Sequence, residues 1–137
     1  MKVYFNNSCK ICKAEIDLYK KEKCSEIDWV DITNNKVASE ETNKSDKDLL
    51  RRLHIKEDDK IIGGAKAFLI LWSKMPKYRF LYRFFKLPII FPIFNLLYEF
   101  VAFFLYLKNK KQLKNYWKKN INTSLKNHIE IKNIMKK

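Results

Sequence analysis

The sequence predicts an α/β fold: a three-layer core in the order β-α-β-α-β-β-α, followed by an α-helical C-terminal extension. Three observations predict it. A short apolar run, Val3-Tyr4-Phe5, enters a polar turn, Asn6-Asn7-Ser8, which delivers Cys9 and Cys12 at the start of a helical pattern. Strand-like and helix-like periodicities then alternate as far as residue 75. Past Pro76 the chain turns apolar and aromatic, and past Leu107 it turns Lys-rich. The chain therefore divides into a core domain at 1–75, a helical extension at 76–107 and a basic tail at 108–137.

Residues 2–5 read as a strand and Asn6-Asn7-Ser8 as a tight turn, with Ser8 or Cys9 capping a helix. That helix should run from about Lys10 to Lys21–Lys23. Cys12, Ile16 and Tyr19, joined by Ile11 and Leu18, make its apolar stripe. Lys20, Lys21 and Lys23 stand at its end, where the helix dipole favours cations. Ile27 to Ile32 reads as a second strand, with Val30 and Ile32 on one face. Residues 34–48 are polar and read as a loop into a short helix, capped by Asp46 and carrying Leu49, Leu50 and Leu53. His54 to Ile62 reads as a hairpin whose turn is Glu57-Asp58-Asp59-Lys60, ended by Gly63-Gly64. Ala65 to Ser73 reads as a helix that buries Ala67, Phe68, Leu71 and Trp72. Trp29 and Trp72 are expected in the core.

Strand, helix, strand, helix, hairpin, helix is the thioredoxin-like order. With the Cys9-x-x-Cys12 pair in place, the chain resembles the DCC family of thioredoxin-like thiol–disulfide oxidoreductases. The resemblance rests on the strand–turn–CxxC opening, the helix start Gly64-Ala65-Lys66-Ala67-Phe68 with Trp72, and Pro76-Lys77-Tyr78-Arg79-Phe80-Leu81. Leu87-Pro88 and Tyr98 continue it, so that it covers roughly residues 2–108. It implies a thioredoxin-like fold and dithiol/disulfide chemistry. The chain departs from the family pattern at Asn6-Asn7-Ser8, where Asp-Gly-Asp is usual. It also lacks any proline between Met1 and Met75, so the cis-proline that precedes the third strand of thioredoxin-like enzymes, near Leu53–His54 here, has no counterpart.

The cysteine pair carries the chemistry. A helix N-terminus offers unsatisfied N–H groups and partial positive charge, and both favour a thiolate. Cys9 is the candidate nucleophile, expected exposed at the helix start, with Lys10 and Lys13 nearby. A free thiol pKa of about 8.5 falls in such a setting. Cys12, one turn on and more buried, is the candidate resolving cysteine. Ser8 is an accessory candidate at the cap. Glu15 is a candidate proton acceptor for the resolving thiol, weighed against a solvated helix-face Glu. His54 is a candidate neighbour of the site, weighed against a strand-edge histidine. Cys24 reads as an ordinary half-buried thiol. A zinc site would need Cys24 with His54 or His128 beside the pair, without a second CxxC or a spaced His pair, and no metal or cofactor is expected. The alternative to redox chemistry is two reduced helix-start cysteines with no such duty.

Charge separates the two halves. Residues 1–62 balance thirteen Lys/Arg with thirteen Asp/Glu, so the whole net charge of +14 lies in residues 63–137, whose only acids are Glu99 and Glu130. Such asymmetry suggests an anionic or apolar partner, a membrane surface or a protein, met through residues 87–137. Lys, Asn and Ile abound throughout, which offers a purely compositional explanation. Only four Arg occur and no nucleic-acid motif is present, which argues against nucleic acid. Residues 87–107 are mostly apolar, but Pro88, Pro92 and Glu99 speak against a bilayer span and leave an uninterrupted helix of about Phe94–Leu107. It is expected to pack on the domain or lie at a membrane surface. Leu113, Tyr116, Trp117, Ile121 and Leu125 have the spacing of an amphipathic helix in the tail. Met1-Lys2-Val3-Tyr4-Phe5 does not read as a signal peptide, so the expectation is a cytoplasmic protein, peripheral at a membrane. Its substrates would be protein disulfides or dithiols, or small thiols. The runner-up reading is a redox-inert thioredoxin-like module that binds a membrane or partner through its basic, apolar second half.

Overall fold

The computed structural model describes residues 1–22, 24, 26–110 and 114. The sheet is built around its first strand, β1 (Lys2–Phe5). β2 (Asp28–Asp31) runs parallel to it on one side, with Val3 beside Trp29. β3 (His54–Glu57) runs antiparallel on the other, with Tyr4 opposite His54, and β4 (Lys60–Gly63) pairs antiparallel with β3. The order is β2-β1-β3-β4. Parallel neighbours need a crossover, and α1 (Lys10–Lys20) supplies it. Antiparallel β3 and β4 need only a tight turn. Glu57 and Lys60 pair with each other, so the expected four-residue turn contracts to Asp58-Asp59, both left-handed at φ 47° and 60°.

Alternation along the strands builds two cores, one on each face of the sheet. Val3, Phe5 and Ile55 face α1 and α4 (Ala65–Lys74), where they meet Ile16, Tyr19, Phe68, Leu71 and Trp72. Tyr4, Val30 and Ile32 face the other way, against Ala38 of α2 (Lys36–Thr42) and Leu49 of α3 (Asp46–Arg51). The result is the thioredoxin-like three-layer arrangement. β1 is covered on both faces, which is why it reads as a continuous apolar run.

Two local expectations change. Ile11 and Leu18 are 55% and 46% exposed, and only Ile16 and Tyr19 of the proposed stripe are buried. At 3.6 residues per turn, Ile11 and Leu18 sit roughly 100° round the helix from Cys12 and Tyr19, beyond the face the sheet covers. Residues 34–48 form two helices, not a loop into one. Asn35 caps α2 by accepting the N–H of Ala38, and Ser45, not Asp46, caps α3 by accepting the N–H of Asp48. Between them Asn43 takes the left-handed conformation that ends a helix without glycine.

After α4 come a 3₁₀ turn (Pro76–Tyr78), α5 (Arg79–Phe85) and α6 (Ile90–Lys110). α6 is longer than the expected 94–107 segment. Pro92 falls in its first turn, where the missing N–H has no helical partner to lose, so it does not break the helix. The chain divides into two units, Met1–Tyr106 and Leu107–Lys137, and the packing described here is that of the first. In it Phe94, Tyr98 and Ala102, one stripe of α6, turn inward. Their rings continue the core, with Phe94 4.4 Å from Phe85 and Tyr98 5.4 Å from Phe68 between ring centres. The helical spacing of Leu113, Tyr116, Trp117, Ile121 and Leu125, and His128 with them, lies outside the described residues.

Candidate active site

β1 ends at Phe5 and hands the chain to Asn6, whose buried side chain organises the turn. Its Oδ1 accepts the N–H of Ser8 at 3.0 Å and the Ser8 hydroxyl at 2.5 Å, while its Nδ2 donates to the Leu50 carbonyl of α3 at 3.1 Å. This anchors the cysteine turn to the domain across a separation of 44 residues. Ser8 is therefore a brace of the turn and not the cap. The cap is Cys9, in extended conformation, with its Sγ accepting the N–H of Cys12 at 3.3 Å. Its carbonyl takes the first helical bond, from the N–H of Lys13 at 2.8 Å.

The sulfurs of Cys9 and Cys12 form a disulfide, with Cα atoms 5.2 Å apart. The expected exposures are reversed. Cys9 is buried, with 1% of its surface accessible, and Cys12 is half-buried. As the cap, the Cys9 side chain folds back over the first helical turn, where its sulfur is tied to Cys12 both by the disulfide and by the N–H it accepts. Lys10 and Lys13 are exposed, and Lys13 is ion-paired with Asp17, one turn further along α1.

Glu15 follows Cys12 by three residues and so neighbours it on the helix surface. It is half-buried rather than solvated. The Tyr19 hydroxyl donates to its Oε1 at 2.7 Å, and the indole N–H of Trp72 donates to the Tyr19 oxygen at 3.0 Å. Burial pushes the Glu15 carboxyl pKa up, partly opposed by the Tyr19 hydrogen bond. Burial and the adjacent carboxyl together push the Tyr19 hydroxyl well above the usual tyrosine range.

The structure does not bring His54 to the sulfurs. It shares the face of Tyr4, opposite the one α1 covers, where its Nδ1 lies 2.9 Å from the Arg52 carbonyl and burial lowers its pKa. Cys24 is half-buried against the main core, its Sγ 3.6 Å from the Glu22 carbonyl. Among the described residues, no three His, Cys, Asp or Glu side chains gather as a metal-ligating group. No cis peptide bond occurs among them either. At the nominal cis-proline position the N–H of Leu53 donates to the Tyr98 hydroxyl at 3.1 Å. The organising role of Asn6 and the Tyr19–Trp72 link were not read from sequence. An amide directly after a buried strand was the available signal for the first. The second joins residues 53 apart and left none.

A β2-β1-β3-β4 sheet between helical layers, with a disulfide capping the helix after its first strand, is a thioredoxin-like arrangement. The family model for DCC1-like thiol-disulfide oxidoreductase matches residues 3–111, and the chain belongs to that family. No curated protein and no solved structure matches it.

Proposed function

We propose that this protein is an oxidoreductase that passes two electrons between its Cys9–Cys12 pair and a disulfide or dithiol substrate, protein or small thiol. The observation that carries the reading is the cap: the Cys9 sulfur sits at a helix N-terminus and accepts the N–H of Cys12. That hydrogen bond and the helix dipole both favour the thiolate over the thiol. In the reducing direction the Cys9 thiolate attacks one sulfur of the substrate disulfide. The substrate S–S bond breaks, its second sulfur leaves and takes up a proton, and a mixed disulfide forms on Cys9. Glu15 then accepts the Cys12 proton. The Cys12 thiolate attacks the Cys9 sulfur, the Cys9–Cys12 disulfide forms, and the remaining substrate thiolate departs. The protein pair is oxidised and the substrate reduced; the reverse sequence oxidises a dithiol.

The burial of Cys9 supports a second assignment, in which a substrate thiolate attacks the more open Cys12 sulfur and Cys9 leaves as the stabilised thiolate. Trapping separates the two. Cys12→Ser and Cys9→Ser, each also carrying Cys24→Ser, are incubated with oxidised glutathione and weighed intact. The first assignment expects a stable glutathione adduct on Cys9 in the Cys12→Ser protein and slow reaction in the other. An adduct confined to the Cys9→Ser protein exchanges the roles. If neither protein forms one, exchange of this pair with a small disulfide is ruled out.

A further inference from the structure

The α5–α6 segment leaves uncovered an apolar face that the oxidoreductase reading does not use. α6 is 21 residues long, yet only 6% of its most apolar 18-residue stretch is buried. Its inward stripe, Phe94, Tyr98 and Ala102, is spent on the domain core. Its outward face carries Ile93, Leu96, Leu97, Phe100 and Phe104, all more than half exposed and Leu96 71% so. Phe80 and Phe84 of α5 and Ile89 before α6 are exposed as well, Ile89 at 80%. So many large apolar side chains facing water in one segment mark an interaction surface.

The charges around this face identify its occupant. Arg79, Arg83 and Lys86 are exposed beside Phe80 and Phe84, and none is ion-paired among the described residues. The one acid within α6, Glu99, is turned inward and spoken for: it accepts from Arg51 at 3.1 Å and from Arg52 at 2.6 Å. An apolar face bordered by unpaired cations matches the acyl boundary and headgroups of an anionic bilayer. A second copy of the chain would set cations against cations. The inward contacts also decide between lying on a bilayer and crossing it. Crossing would tear Glu99 from two guanidiniums and the Tyr98 hydroxyl from the N–H of Leu53, or draw Arg51 and Arg52 into hydrocarbon.

We infer that α5 and α6 form a membrane-docking plate that lies flat on an anionic lipid surface while its inner side stays on the thioredoxin-like core. The plate is fastened at the sulfur end of the sheet. Arg51, Arg52 and Leu53 lead into β3 beside the end of β1, and Asn6 is bonded to Leu50 just before them. The disulfide therefore belongs to the end of the domain that the membrane holds.

The test is flotation of the full chain with vesicles of phosphatidylcholine, with and without phosphatidylserine. The expected result is binding to the anionic vesicles, weakened by salt and released by alkaline carbonate. Leu96→Ser/Phe100→Ser/Phe104→Ser should bind about 10²-fold more weakly while keeping the wild-type melting temperature, since these side chains contribute little to the fold. The inference is overturned by absence of vesicle binding, by equal binding of wild type and triple variant, or by resistance to carbonate, which would mean a span. A wild-type dimer that the triple variant abolishes, without vesicle binding, would assign the face to a second copy and overturn it as well.

Discussion

Residues 1–75 and residues 76–106 solve the burial problem in opposite ways. In the first region α1, α2 and α3 each bury one face and give water the other, and all three are closed by named caps. In the second, α6 buries one stripe and still presents Leu96, Leu97 and Phe100 outward. Both regions are rich in apolar residues, so composition alone does not separate them. The difference lies in whether a partner inside the chain covers the apolar side chain. Where it does, the residue holds the fold; where it does not, the residue is available to something outside.

Four substitutions sharpen or break that contrast. The largest effect should come from Glu15→Gln, on the rate at which Cys12 displaces a preformed mixed disulfide. Losing a positioned proton acceptor should slow that step by about 10²-fold, followed by stopped-flow release of the thiol. The same variant should be more stable than wild type at neutral pH. Burial raises the Glu15 pKa, so its contribution is intact below the ordinary value of 4.5 and is lost as pH rises through the folded pKa. The stability gain of Glu15→Gln should therefore vanish below about pH 4.5, as read from denaturant midpoints. A rate loss joined to a stability gain marks a functional acid; loss of both would make Glu15 structural.

Next comes Leu71→Ala, which should cost about 2–5 kcal/mol by leaving a cavity in the main core. Gly63→Ala should cost about 1–3 kcal/mol, because a Cβ there would stand 2.7 Å from the His54 ring, itself buried and bonded to the Arg52 carbonyl. Smallest of all, Leu96→Ser should change stability by less than about 0.5 kcal/mol. If Leu96→Ser instead costs as much as Leu71→Ala, α6 is covered in the free protein and the contrast collapses.

Much of the first region was legible because periodicity and burial coincide there. The strand before the cysteines, the hairpin, and the Ala67–Phe68–Leu71–Trp72 face all follow from spacing. What was not legible depends on neighbours distant in sequence. Ile11 and Leu18 have helical spacing but lie outside the arc the sheet covers. α2 is polar enough to read as loop, and the caps at Asn35 and Ser45 set its limits and those of α3. Spacing leaves the cap open between Ser8 and Cys9, and residue type favours Ser8; the cap is Cys9, and it is buried. The length of α6 was not legible because Pro92, a helix breaker in mid-helix, falls in the first turn, where it is tolerated.

The proposed exchange depends on one sulfur, Cys9, being held as a thiolate by the helix it caps. The most direct measurement is thiolate ultraviolet absorbance against pH for reduced Cys12→Ser/Cys24→Ser protein, in which Cys9 is the single thiol and the capping N–H is retained. A midpoint well below the free-thiol value of about 8.5 is predicted. A midpoint at or above it would mean that burial outweighs the cap, and would contradict Cys9 as the stabilised sulfur of an exchange reaction.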